Sequence, residues 1–136
     1  MIPDFDRRGY LPPGIHQTTL EEFCARFGGN PVRERLLNNL RSLVSVAATT
    51  GARKFIIVGS FVTAKEEPGD IDAILILPAN FDTNSWQAQL FRRAYIRYNI
   101  HLFPVPESNE RLLDRWIDFF QTDQDNIPRG LVEVEL

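Results

Sequence analysis

One cysteine, one methionine, two histidines and two lysines occur among 136 residues, and each scarcity excludes something. Cys24 alone cannot close an internal disulfide. With His16 and His101 it is also too sparse a ligand set for structural zinc, so the reducing cytoplasm is the expected compartment. No run approaches the ~18 apolar residues of a membrane span. The start, Met1 to Tyr10, carries Asp4, Asp6, Arg7 and Arg8 with no apolar signal region, so neither export nor a membrane partner is expected. A basic excess is missing too: fifteen Lys plus Arg stand against eighteen Asp plus Glu, a net charge of -3, so nothing signals bulk nucleic-acid binding. What is present is ordinary for a soluble globular chain, with 43% apolar and 24% charged residues and no repeat or low-complexity tract. At this length one domain with a real core is expected, 1–136, leaving no room for a separate substrate domain. Thirteen of the fifteen cations are arginine, whose planar fork suits phosphates and carboxylates, although surface helices use it as freely.

Hydrophobic periodicity then divides the chain. Residues 1–17, with Pro3, Pro12, Pro13, Gly9 and Gly14, show no period and read as an irregular leader. A capping box at Thr18 with Glu21, or Thr19 with Glu22, opens a short helix that Gly28-Gly29 closes. Asn30 caps a second helix, with Pro31 in its first turn and Gly51 at its end. Val32, Leu36, Leu37, Leu40, Leu43, Val44 and Ala47 form its core-facing stripe, and Arg33, Glu34, Asn38, Arg41 and Ser42 its solvated side. Lys54–Val58 and Asp70–Leu77 read as buried strands. Between them, Ser60 to Glu67 has room for a helical turn or two before Pro68-Gly69. Asn84 with Gln87 opens a helix that buries Trp86, Leu90, Phe91, Ala94, Tyr95 and Tyr98. Asn99–Pro104 is a third strand, and Glu107–Phe120 a helix with Leu112, Leu113, Trp116, Ile117 and Phe120 inward. The alternating tail 130–136 reads as a C-terminal edge strand. The fold class is α/β of the α+β type: a small mixed sheet flanked by helices.

The sharpest chemical feature is the pair Asp70 and Asp72. A strand turns alternate side chains to one face, so both carboxylates look the same way while Ile71 and Ala73 look the other. At about 6 to 7 Å between Cα atoms, two anions in an effective dielectric near 20 repel by roughly 2 to 3 kcal/mol. A divalent cation reverses that sign, and Mg²⁺ is held by one or two carboxylates plus substrate phosphates. The plain alternative is two exposed acids at the start of a strand. Gly59-Ser60, directly after a buried strand, adds a place where backbone can approach a phosphate, with Ser60 donors beside it. Thr63 and Lys65 would then face the phosphates; otherwise the turn is an ordinary strand exit and Lys65 a solvated neighbour of Glu66 and Glu67. A Walker A loop is excluded, because Ala64 and Glu66 flank Lys65 where that loop needs Gly and Ser or Thr. Arg92, Arg93 and Arg97 make a basic ridge that reads as a solvated face, with an acidic partner or RNA as the other reading.

A strand, Gly-Ser, and then Asp-hydrophobic-Asp-hydrophobic resembles the signature of the polymerase β-like nucleotidyltransferase superfamily. The resemblance lies mainly in residues 54–104. The leader LPPGIHQTT and the tail FFQTDQDNIPRGLVEVEL are similar to those of an uncharacterised bacterial branch of that superfamily. It implies Gly59 and Ser60 on nucleotide phosphates and Asp70 and Asp72 on Mg²⁺ (or Mn²⁺), with an NTP, ATP first among the candidates, giving a nucleoside monophosphate to an acceptor hydroxyl. The minimal relatives include antitoxins that nucleotidylate or bind a partner toxin, so a partner protein or a homo-oligomer is implied as the rest of the site. The third acid of the pattern is replaced: Ile100-His101-Leu102 stands there. His101 is then either a catalytic base near pH 7 or a histidine at the core edge. Imidazole is a poorer Mg²⁺ ligand than carboxylate, and Glu107 is the nearest further acid along the chain. The departure keeps open a second function, a catalytically impaired module acting by occupancy of nucleotide or partner.

Overall fold

A computed structural model describes residues 2–136. Met1, the first residue of the expected leader, lies outside the described residues. Five strands form one mixed sheet in the order β1 (Ile15–Thr19), β5 (Leu131–Glu135), β2 (Lys54–Val58), β3 (Ile71–Leu77), β4 (Ile100–Pro106). β1 pairs parallel with β5 and β3 parallel with β4, while β2 runs antiparallel to both β5 and β3. Helices α1 (Leu20–Phe27), α2 (Pro31–Ala48), α3 (Trp86–Arg92) and α4 (Ala94–Tyr98) cover one face, and α5 (Glu110–Phe120) covers the other. This is the expected mixed sheet flanked by helices.

The β-branched segment Lys54–Val58 forms the centre because its side chains are buried on both sides. Phe55 and Ile57 join the core under α1 and α2, while Ile56 and Val58 join the smaller core under α5. Thr19 caps α1 by accepting from the Glu22 N–H, and Asn30 caps α2 by accepting from the Arg33 N–H. Among the described residues no helix is long and apolar enough to cross a membrane.

Several expectations are corrected. The leader is not irregular throughout: Ile15–Thr19 is strand β1, and Tyr10 bridges Thr63 further upstream. The tail is not an edge strand. β5 lies between β1 and β2, with Leu131 in one core and Val132 and Val134 in the other, which is the burial of an interior strand. The helix expected from Asn84 is broken at Arg93 (φ -105, ψ 10), and the break shifts its phase. Ser85 caps it, Ala88, Phe91 and Ala94 turn inward, and Trp86 and Tyr95 remain exposed. Asn109 rather than Glu107 opens α5. Helix α2 stops at Ala48, short of Gly51, and the expected helical segment after Ser60 shrinks to a single 3-10 turn, Gly59–Val62. Arg33, placed on the solvated side, is 5% exposed.

Candidate metal and phosphate site

Strand geometry builds the acidic group. Asp70 immediately precedes β3 and Asp72 is its second residue, so both project to the α5 side, as does Ile74 of the core beneath that helix. Parallel pairing sets Asp72 opposite His101 on β4. The approach to β4 is made by Asn99, which ends α4 in the left-handed conformation (φ 55) and accepts from the Ile71 N–H, so His101 lies two residues beyond a fixed turn. His101 Nε2 is 3.3 Å from Asp70 Oδ2. The Tyr95 ring lies 4.1 Å from the imidazole, centroid to centroid. One ligand atom from each of Asp70, Asp72 and His101 falls within 4.8 Å of the others. Ligands bound at about 2.1 Å to one octahedral ion sit about 3 to 4.2 Å apart, so a small side-chain adjustment closes the set around a cation.

Asp72 is the electrostatic oddity of this group. Burial pushes its carboxyl above the usual aspartate range and Asp70 pushes it further, with His101 and Arg129 pulling the other way. Among the described residues that carboxylate makes no hydrogen bond, and its oxygens are open to solvent, since no buried side-chain oxygen is left without a partner. Gly59 leans against it: φ is +73, and a Cβ there would lie 2.7 Å from Asp72 Oδ2. The glycine of the Gly-Ser pair is therefore required twice, for its backbone angle and for the room it leaves the acid.

The segment that follows is tied down from behind. The buried Arg33 guanidinium donates to four carbonyls, those of Phe27 (3.0 Å), Phe61 (2.9 Å), Thr63 (2.8 Å) and Lys65 (2.6 Å). Thr63 is buried, and its hydroxyl donates to the Ser60 carbonyl at 2.6 Å and accepts from the Lys65 N–H. Thr63 lines the same cavity as Ser60 and Lys65, with its one hydroxyl proton directed to the Ser60 carbonyl. Ser60 is part-exposed and Lys65 exposed, and both line a cavity of about 400 Å³ with Arg8, Tyr10 and Arg129. Sequence reasoning missed Arg33, Arg8, Tyr10 and Arg129. Only Arg33 left a signal, since it sits three residues before Leu36 and four before Leu37, on the apolar stripe.

The sequence pattern of a family described as a family of unknown function, DUF6932, matches residues 3–135. The chain belongs to this family. No curated protein and no solved structure matches it.

On the other flank of the acids, this DUF6932 chain has a cleft of about 530 Å³ beside edge strand β4. Phe81, Phe91, Tyr95 and Pro104 line it, with His101 and Arg92 as polar members. His101 thus belongs to both the acidic group and the cleft. Glu107 does not reach the acids. It follows the far end of β4, roughly 20 Å along the strand from His101, and its carboxylate accepts from the Ala79 N–H. Arg92, Arg93 and Arg97 are exposed as expected, with Arg92 donating to the Thr83 carbonyl and Arg97 to the Tyr98 hydroxyl.

Proposed function

We propose that the chain is a nucleotidyltransferase-like protein that uses Mg²⁺ or Mn²⁺ and moves a nucleoside monophosphate from an NTP such as ATP to an acceptor hydroxyl, with pyrophosphate leaving as the α–β phosphoanhydride bond breaks. The observation carrying this reading is Asp72, a half-buried carboxylate with no hydrogen-bond donor, between Asp70 and His101 and beneath Gly59. Partial burial and the neighbouring Asp70 both oppose its charge, and a cation between the two acids offsets them. The donor set fits a divalent cation. When bound, the ion supplies positive charge to the phosphate oxygens at the reacting phosphorus.

The remaining roles belong to the chain. Asp70 and Asp72 hold the cation, and Gly59 keeps backbone close enough for the phosphates to lie beside it. Ser60 and Lys65 bind the phosphate chain from the cavity side. His101, whose Nε2 is 3.3 Å from Asp70 Oδ2, either joins the ligands of the cation or, standing outside them, takes the proton of the acceptor hydroxyl. The acceptor is a hydroxyl on a small molecule or on a partner protein, the latter being what the resemblance to minimal nucleotidyltransferases implies.

A second reading has its own observation. The position of the third acid holds His101, which weakens Mg²⁺ coordination and favours a binding module that acts by occupancy. Labelled ATP with Mg²⁺ and candidate acceptors separates the two. Transfer that disappears in Asp70→Asn and Asp72→Asn supports the enzyme, and nucleotide-dependent thermal stabilisation without transfer supports the module. A melting temperature indifferent to both metal and nucleotide overturns both.

A further inference from the structure

The sheet order β2-β3-β4 sets the cleft of about 530 Å³ across the acids of β3 from the Gly59-Ser60 turn that follows β2. Its floor is one side of edge strand β4, where alternate residues such as Leu102 and Pro104 line it. Phe81, from the loop after β3, and Phe91 and Tyr95, from α3 and α4, make the walls, with the Phe81 and Phe91 rings 5.9 Å apart at 31°. Two polar groups border this apolar space. Arg92 donates one long bond, 3.4 Å, to the Thr83 carbonyl, and among the described residues it makes no ion pair. Asp82 and Glu107, beside the same loop, accept from the Asn84 and Ala79 N–H groups. The His101 imidazole lies 4.1 Å from the Tyr95 ring and its Nε2 3.3 Å from Asp70 Oδ2, so it reaches from the cleft wall to the acids.

The open edge of β4 is badly suited to an added peptide strand. The Asn99 carbonyl accepts from the Ile71 N–H and the Glu107 N–H donates to the Leu77 carbonyl, so odd-numbered residues of this stretch turn their backbone groups to β3 and even-numbered ones to the edge. Two of the four even positions are Pro104 and Pro106, which carry no N–H. The edge therefore offers a docking strand the donors of Ile100 and Leu102 alone. A cavity of this volume, apolar with a polar group at its border, suits a small molecule instead.

We propose that this cleft holds the acceptor, and that the acceptor is a small aromatic acid carrying a hydroxyl, with its ring among Phe81, Phe91 and Tyr95, its acid group on Arg92 and its hydroxyl turned toward His101. The acceptor role rests on the nucleotide reading above; the class of ligand does not. Flat rings pack against aromatic walls, and a guanidinium fork pairs with a carboxylate through two hydrogen bonds. The side of entry follows from in-line displacement, which sets the attacking oxygen opposite the leaving one. With the phosphate chain on Ser60 and Lys65, pyrophosphate leaves on the Gly59 side and the acceptor enters from the β4 side. The acceptor oxygen bonds the α-phosphorus as the α–β anhydride bond breaks, pyrophosphate takes the electron pair, and the hydroxyl proton passes to His101 or to water.

The test is an NMR titration of the full isotope-labelled chain in EDTA with 4-hydroxyphenylacetate and with its neutral amide. The acid is expected to bind saturably and more tightly than the amide, with shifts concentrated at 79–83 and 100–103. Arg92→Gln, at an exposed position, should weaken the acid about tenfold and leave the amide unchanged. Tyr95→Ala, also at an exposed position, should weaken both about fivefold, with melting temperatures confirming that the variants fold. Added AMP with Mg²⁺ should leave the acid in place. Absence of saturable binding overturns the inference, as does binding indifferent to both substitutions. Displacement of the acid by AMP overturns it too, giving the cleft to the nucleobase and leaving the nucleotide reading standing. Acid binding that follows Arg92 and Tyr95, in a chain whose spectrum ignores ATP with Mg²⁺, upholds the cleft and its class of ligand and removes the acceptor role together with the nucleotidyltransferase reading.

Discussion

The loop from Gly59 to Lys65 has a charged group on either side, and the two have been treated in opposite ways. Behind it, Arg33 is withdrawn from water but has each of its guanidinium nitrogens donating to carbonyl oxygens, and its cation also lies over the Phe61 ring at 4.8 Å. Burial lowers its proton affinity, yet the hydrogen bonds complete its coordination. In front, Asp72 is partly withdrawn from water with no donor, and a second carboxylate is its neighbour. A buried charge whose donors are all matched within the protein belongs to the scaffold, whereas a solvent-reached carboxylate beside a like charge is one that a cation from outside can stabilise.

The largest effect should come from breaking the satisfied side. Arg33→Met removes the donors of four carbonyls and is expected to cost about 3 kcal/mol or more, since each buried acceptor left unpaired costs about 1 to 3 kcal/mol. Urea denaturation would measure it, and a loss below about 1 kcal/mol would mean that water replaces the guanidinium. The side that faces the opening should respond with the opposite sign. Asp72→Asn removes a charge that burial and Asp70 both oppose, so in EDTA it should stabilise the fold by about 1 kcal/mol after allowance for solvent screening. The same substitution should abolish the stabilisation that Mg²⁺ or Mn²⁺ gives the wild type. Destabilisation in EDTA would show that Asp72 is satisfied after all.

How much of this contrast is legible in the chain alone follows from which interactions are local. The strands at Lys54–Val58 and Ile71–Leu77 are built on the apolar runs 55–58 and 73–77, and the Asp70, Asp72 alternation is a property of one strand, so both can be read from sequence. His101 beside them follows from the next strand in a parallel pairing. The remainder depends on segments far apart in the chain. Arg33 occupies a stripe position, but its residue type points to solvent until the loop 61–65 is folded over it. β5 is interior because β1, more than a hundred residues earlier, covers its outer side. Arg8 and Arg129 meet Lys65 only through a bridge between the N-terminal segment and the loop, for which no periodicity exists.

A third carboxylate sharpens the comparison through pH. Asp123 is part-exposed, and the Tyr10 hydroxyl, followed by the Ile127 N–H, holds its carboxyl below the ordinary range, the reverse of Asp72. Its folded-state value is depressed, so the stability it contributes is present above the ordinary aspartate range and is lost as pH falls through the folded value. The Tyr10 phenol is shifted up by the same bond, so its contribution is present below the ordinary tyrosine range and lost as pH rises through the raised value. The melting-temperature gap between wild type and Tyr10→Phe should therefore be widest at intermediate pH and narrow toward both extremes. A gap independent of pH would assign the bond no role in stability.

The smallest effect on stability, and the finest test of the front of the loop, is at His101. Its side chain is 44% exposed, with Asp70 and the Tyr95 ring as its neighbours, so His101→Gln should change stability by no more than about 0.5 kcal/mol. Its effect on metal choice should be larger. Two carboxylates alone suit Mg²⁺ and Mn²⁺ alike, whereas an imidazole nitrogen adds affinity for the softer transition ion and little for Mg²⁺. The wild type is therefore expected to prefer Mn²⁺, with His101→Gln losing about tenfold in Mn²⁺ affinity and little in Mg²⁺ affinity, and His101→Asp gaining Mg²⁺. Calorimetric titration of each ion reads this directly. Equal losses for both ions in His101→Gln would place the imidazole outside the coordination sphere, as a base beside Asp70 or a lining residue of the neighbouring cleft, and would leave the two aspartates as the whole of the protein's contribution to the cation.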